Sequence, residues 1–84
     1  MEDYKFVPVN TEEGKILSEG YDVEEGLFPI NKYEFEALQE VEDLQIEWSD
    51  LPSEEPEGAN VAYCYSDYRV IMMTKEEFIK EMNF

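Results

Sequence analysis

The sequence predicts an α+β fold, a small antiparallel sheet of about four strands with two to three short helices packed on one face. Three observations predict it. Two segments carry the same reciprocal helix-start pattern, "NKYE" and "TKEE"; several short runs rich in branched and aromatic residues read as strands; and Gly and Pro punctuate the chain between them. With 84 residues, 43% hydrophobic and 14% aromatic, the chain has the composition of a folding sequence and room for one domain over 1–84.

The elements follow in order. "YKFVPV", residues 4–9, reads as a first strand, and Pro8 lacks a ladder donor, which places that strand at an edge or confines the proline to an outward position. "NTEEGKILSEG" reads as a short helix capped by Asn10 or Thr11, with Gly20 available for a left-handed position at its end and Gly14 weakening its interior. "YDVEEG" is a loop leading into "LFPINKYEFEALQEVED", where Asn31 caps a helix, Glu34 closes a capping box and Ile30 staples against Phe35. "LQIEW" alternates as a strand does, "SDLPSEEPEG" is a loop, and "NVAYCYSDYRVIMM" is a hairpin turning near Ser66 and Asp67. Thr74 and Glu77 repeat the capping box before a last helix on which Phe78, Ile79 and Met82 share one face.

Charge is the outstanding property. Twenty-two acidic residues against six basic ones give a net charge of −16, where ordinary small domains carry about 2–8 in magnitude. Counterion release rewards proteins that bring positive charge to phosphate, so direct binding to nucleic acid or to an anionic membrane is excluded and a basic partner is implied. Residues 34–58 hold ten carboxylates and no Lys or Arg, and no basic residue intervenes between Lys32 and Arg69. In this stretch Phe35, Leu38, Val41, Ile46 and Trp48 are expected to anchor the charged segment to a core.

Catalysis finds little to work with. Histidine is absent, which removes the commonest general base and metal ligand together. There is no phosphate-cradling glycine loop and no cysteine pair, and "DVEEG" and "EEPEG" do not continue into the spacing of a calcium loop. The expectation is a non-enzyme without cofactor or metal. Cys64, the single cysteine, lies in the alternating run "VAYCY" and reads as a strand thiol. With no apolar leader and no long apolar run, the chain is expected to work in the cytoplasm.

What remains is the placement of the acids. On a helix beginning at Asn31, Glu36, Glu40 and Asp43 recur at i, i+4 and i+7 and form one stripe, rising about 6 Å per four residues. Such a row can imitate the phosphates of a nucleic-acid strand. Glu47, Asp50, Glu54, Glu55, Glu57 and Asp67 carry the same sign beyond the helix. Tyr68, near the hairpin turn, is the aromatic expected to be exposed and to serve as an anchor ringed by charge.

In size, charge and lack of catalytic groups, the chain resembles the small acidic inhibitors that bacteriophages and mobile elements direct against host nucleic-acid enzymes: the uracil-DNA glycosylase inhibitor, anti-restriction proteins and anti-CRISPR proteins. The resemblance implies a non-catalytic inhibitor that occupies the basic groove of a nucleic-acid-binding protein. Glu36, Glu40, Asp43, Glu47, Asp50, Glu54, Glu55, Glu57 and Tyr68 are the expected contacts. Two other readings fit the same composition: an immunity protein that neutralises a basic nuclease toxin through aromatic anchors, and a phage accessory protein whose acidic face is merely solvated.

Overall fold

A computed structural model describes residues 4–58, 60–65 and 67–82. Its strands are β1 (Tyr4–Pro8), β2 (Leu27–Asn31), β3 (Val61–Cys64) and β4 (Val70–Met73); its helices are α1 (Glu12–Leu17), α2 (Lys32–Glu42) and α3 (Lys75–Met82), with a 3-10 turn at Trp48–Asp50. The fold is α+β, with one four-stranded sheet in the order β1-β2-β3-β4. Two of its three pairings are antiparallel. The third, β2 with β3, is parallel and meets at a single register pair, Leu27 with Val61.

β1 lies at an edge, the first of the two placements that Pro8 allows. Successive residues of a strand face opposite sides, and β1 is apolar on both. Val7 and Val9 join Leu17, Phe28, Ile30, Phe35 and Leu51 in the main core, beneath α1 and α2. Tyr4 and Phe6 point the other way and meet Phe78 of α3 edge to face, at 5.3 and 5.7 Å between ring centres. The helices therefore divide between the two faces, where the sequence reading places them on one. A strand that is apolar on both sides needs cover on both.

β2 is the element the sequence reading passes over. Its last residue, Asn31, is also the N-cap of α2, so strand and helix meet with no loop between them. The expected capping box forms: Glu34 N–H donates to Asn31 Oδ1 at 2.7 Å and Asn31 N–H to Glu34 Oε1 at 3.1 Å. Pro29 argues against an interior strand, and the pairing shows how it is tolerated. Leu27 N–H donates to the Asn60 carbonyl at 2.9 Å. Pro29, two residues on, stands where the next donor toward β3 belongs and has none to give. The ladder stops there, and the two strands splay around a cavity of about 290 Å³.

"LQIEW" is not a strand. Leu44, Ile46 and Trp48 do turn toward the core while Gln45 and Glu47 face solvent, so the alternation reports burial correctly. The segment has no strand beside it, however. Its carbonyls go to side chains instead: Gln39 Nε2 donates to Ile46 O at 2.6 Å, and Lys5 Nζ to Trp48 O at 2.5 Å. The other expected elements appear, with Thr11 as the cap of α1 and the Thr74–Glu77 box before α3. Of the turn residues named for the hairpin, Ser66 lies outside the described residues. Gly14, the weak point of the α1 reading, is required by packing: a Cβ there would stand 2.0 Å from the Pro8 carbonyl oxygen.

Candidate functional site

The acids are held on a rigid frame. α2 lies against β2 with Phe35 buried beneath it, and its outer crest carries Glu36 and Glu40, both exposed. Asp43 does not continue the stripe. The helix ends at Glu42, and Asp43 is its cap in the left-handed region, φ +53°, so the i+7 geometry expected of it fails. Lys32, one turn before Glu36, is the cation nearest the row in sequence. It lines a groove with Glu36, Gln39, Glu47, Trp48 and Ser49. Glu36 and Glu47 line that groove from two separate segments.

Beyond the groove the chain is pinned rather than loose. Lys5 reaches the Trp48 and Leu51 carbonyls and lies over the Trp48 ring at 5.1 Å, while Trp48 packs on Phe35 with ring centres 5.6 Å apart. Leu51 and Pro56 are buried. Between them the loop runs along the outer edge of β1: Phe6 N–H donates to Ser53 Oγ, and Glu54 N–H to the Phe6 carbonyl, each at 2.9 Å. Asp50, Glu54, Glu55 and Glu57 thus stand exposed on a tethered path. The path covers an edge that would otherwise offer free backbone groups.

Among the described residues two ion pairs form, Arg69–Asp67 at 2.8 Å and Lys75–Glu55 at 3.9 Å. Asp67 is thereby matched locally, and Glu55 loosely. Among the same residues no three carboxylates or thiols converge as a metal-holding cluster, so the acids are spread along a belt. The belt runs from the crest of α2, past the 3-10 turn and along β1, to the start of α3.

Tyr68 does not join it. The residue is 58% exposed, but it sits on the opposite flank of α2, in a groove of about 580 Å³ with Ile16, Gly20, Tyr21, Val41 and Glu42. The most exposed of the large hydrophobic residues, Tyr33 at 82% and Val41 at 79%, escaped the sequence reading. Val41 had been expected to anchor the core. Phe35, Leu38 and Val41 are spaced by three, so each lags the last by about 60° and Val41 stands about 120° round from Phe35. A helical projection carries that signal.

Cys64 lines the cavity between β2 and β3, where its Sγ donates to the Ala62 carbonyl at 3.8 Å. Burial first, and Glu34 second, push its thiol up to about 11. A protonated thiol is a poor nucleophile, and its place in the fold is that of a donor near the interrupted ladder. Burial likewise raises Tyr21, with Cys64, Tyr68 and Glu34 adding to the effect.

The arrangement defines a class, a small α+β domain with a belt of fixed, mostly unpaired carboxylates. No protein-family model, curated protein or solved structure matches the chain. Among the described residues no helix is long and apolar enough to cross a membrane.

Proposed function

We propose that this protein is a non-catalytic inhibitor of phage or mobile-element type, acting in the cytoplasm, whose carboxylate belt imitates a nucleic-acid backbone. It occupies the basic groove of a DNA- or RNA-binding enzyme of host defence or repair. The observation that carries the reading is the tethering of the belt. Like charges cost folding free energy, yet Glu36, Glu40, Glu47, Asp50, Glu54 and Glu57 are held exposed on capped, hydrogen-bonded or buried-anchor segments. A preorganised row of anions meets a cationic groove with little ordering cost, and opposite charge speeds the encounter. Asp43, off the stripe, and Glu55, near Lys75, are peripheral in this reading; Tyr68 lies outside it.

The test is capture from a host lysate with the protein as bait, repeated with excess duplex DNA or RNA and at two salt concentrations. Capture of a nucleic-acid enzyme that is displaced by competitor and weakened steeply by salt supports the imitation. A partner indifferent to both competitor and salt overturns it. The exposed Tyr68 ring favours one second reading, an immunity protein anchored by aromatics beside a nuclease active site. In that case Tyr68→Ala weakens capture more than reversal of the acids does.

A further inference from the structure

The groove on the far flank of α2 belongs to no part of the belt, and its construction is different. Ile16 from α1, Val41 from α2 and Tyr68 from the β3–β4 connection leave apolar surface open to water, with Leu17 and Leu38 beneath. Tyr68 is held there at some cost. Its backbone is left-handed, φ +67°, a conformation that is strained for a bulky residue. Its ring lies 4.9 Å from that of Tyr21, and it passes so close to Gly20 that a Cβ on that glycine would stand 2.9 Å from it. A strained, exposed aromatic braced by a second ring is the form that binding anchors take.

The charges around the groove select its occupant. Glu19 and Glu42 line it, and neither has an ion pair among the described residues. A second copy of the chain carries the same net charge of −16, which opposes self-association at low salt. A polypeptide with apolar side chains on one face and Lys or Arg beside them satisfies both features of the site. Its apolar face fills the space between Ile16, Val41 and Tyr68 while its cations meet Glu19 and Glu42.

We infer that this groove is a second docking surface, for a basic amphipathic helix of the partner protein, distinct from the carboxylate belt. The inference rests on the reading of the partner as basic, but not on imitation of phosphate. An amphipathic helix presents its apolar residues at i, i+4 and i+7, all on the side that would face the groove beside α2. Binding here adds a contact that salt weakens less than it weakens the belt, because burial of apolar surface is not screened.

The experiment is an NMR titration of the folded protein, labelled with nitrogen-15, using two synthetic peptides of about four helical turns. One has leucine at i, i+4 and i+7 and lysine elsewhere; the other has the same charge with each leucine replaced by glutamine. The leucine peptide is expected to shift the amides of Ile16, Gly20, Val41 and Tyr68 saturably and to bind at least about tenfold more tightly than the glutamine peptide. Val41→Glu, at a position 79% exposed, is expected to remove that preference while leaving the spectrum otherwise folded.

Equal binding of the two peptides, shifts confined to the belt, or an unaffected Val41→Glu variant each overturns the inference. So does dimerisation that Val41→Glu abolishes, which assigns the groove to a second copy. The triple variant Glu36→Lys, Glu40→Lys, Glu47→Lys separates this surface from the proposed inhibition. Retention of the leucine preference supports the groove whatever becomes of the belt, and its loss overturns the groove.

Discussion

The two flanks of α2 are built on opposite plans. Toward the 3-10 turn the surface is anionic and its backbone is tied down by side chains: Gln39 holds the Ile46 carbonyl and Lys5 holds that of Trp48. Toward α1 and the hairpin the surface is apolar between Glu19 and Glu42, and what fixes it is the packing of the Tyr68 ring on that of Tyr21. Hydrogen bonds position charges without neutralising them, whereas stacking positions an apolar face that water would otherwise avoid. One helix thus separates a long-range, salt-sensitive surface from a short-range, salt-tolerant one.

The comparison collapses most completely if the helix loses its seat. Phe35→Ala removes a side chain buried between α2, β2 and Trp48 and is expected to cost about 3–5 kcal/mol in denaturant unfolding. Both flanks then fail together, and intact binding by either one would show that the shared seat is dispensable. Reversal of Glu36, Glu40 and Glu47 to Lys is expected to weaken partner capture by about a hundredfold at low salt and far less at high salt. The melting temperature should hold or rise, because self-repulsion falls. A matching loss of thermal stability would mean that the acids serve the fold and not a partner.

Smaller changes sharpen the contrast. Asp43→Gly relieves a left-handed backbone at the end of the acidic crest and is expected to stabilise the protein by about 0.5–1 kcal/mol. Binding should hardly alter, and a large loss of capture would restore Asp43 to the contact set. The smallest expected effect comes from Cys64. Its proton is held in the native state up to about pH 11, against about 8.5 in an unfolded chain. Its contribution to stability is therefore complete below about pH 8.5 and fades as the pH climbs toward 11. Urea midpoints measured from pH 8 to 10 should decline less in Cys64→Ser, whose hydroxyl can still donate to Ala62; parallel declines would deny the thiol that role.

Local signals in the sequence were most legible where one residue's chemistry settles the matter. Thr11, Asn31 and Thr74 cap as their oxygens require, and Pro8 marks an edge. What escaped depends on neighbours that the sequence does not juxtapose. β2 hid behind Pro29 and its direct passage into α2; "LQIEW" kept the burial of a strand but lacked a partner to pair with. The same holds for the site. Exposure of the carboxylates was readable from their charge, and exposure of Tyr68 from its place near a turn. The union of Glu36 with Glu47, and the separation of both from Tyr68, depend on how three elements pack around one helix.

The loop along β1 has a consequence for how such a protein can vary. Ser53 and Glu54 meet Phe6 through a backbone group on at least one side of each bond, and Leu51 and Pro56 fix the ends of the span between buried points. Its length is thus set by the strand it follows, while the side chains of Glu54, Glu55 and Glu57 are free to change. On the proposed function, substitutions there retune which cationic surface is matched, one residue at a time, whereas a single inserted or deleted residue would uncover the strand. Drift in the spelling of the loop at constant length is the route by which this scaffold could follow a changing target.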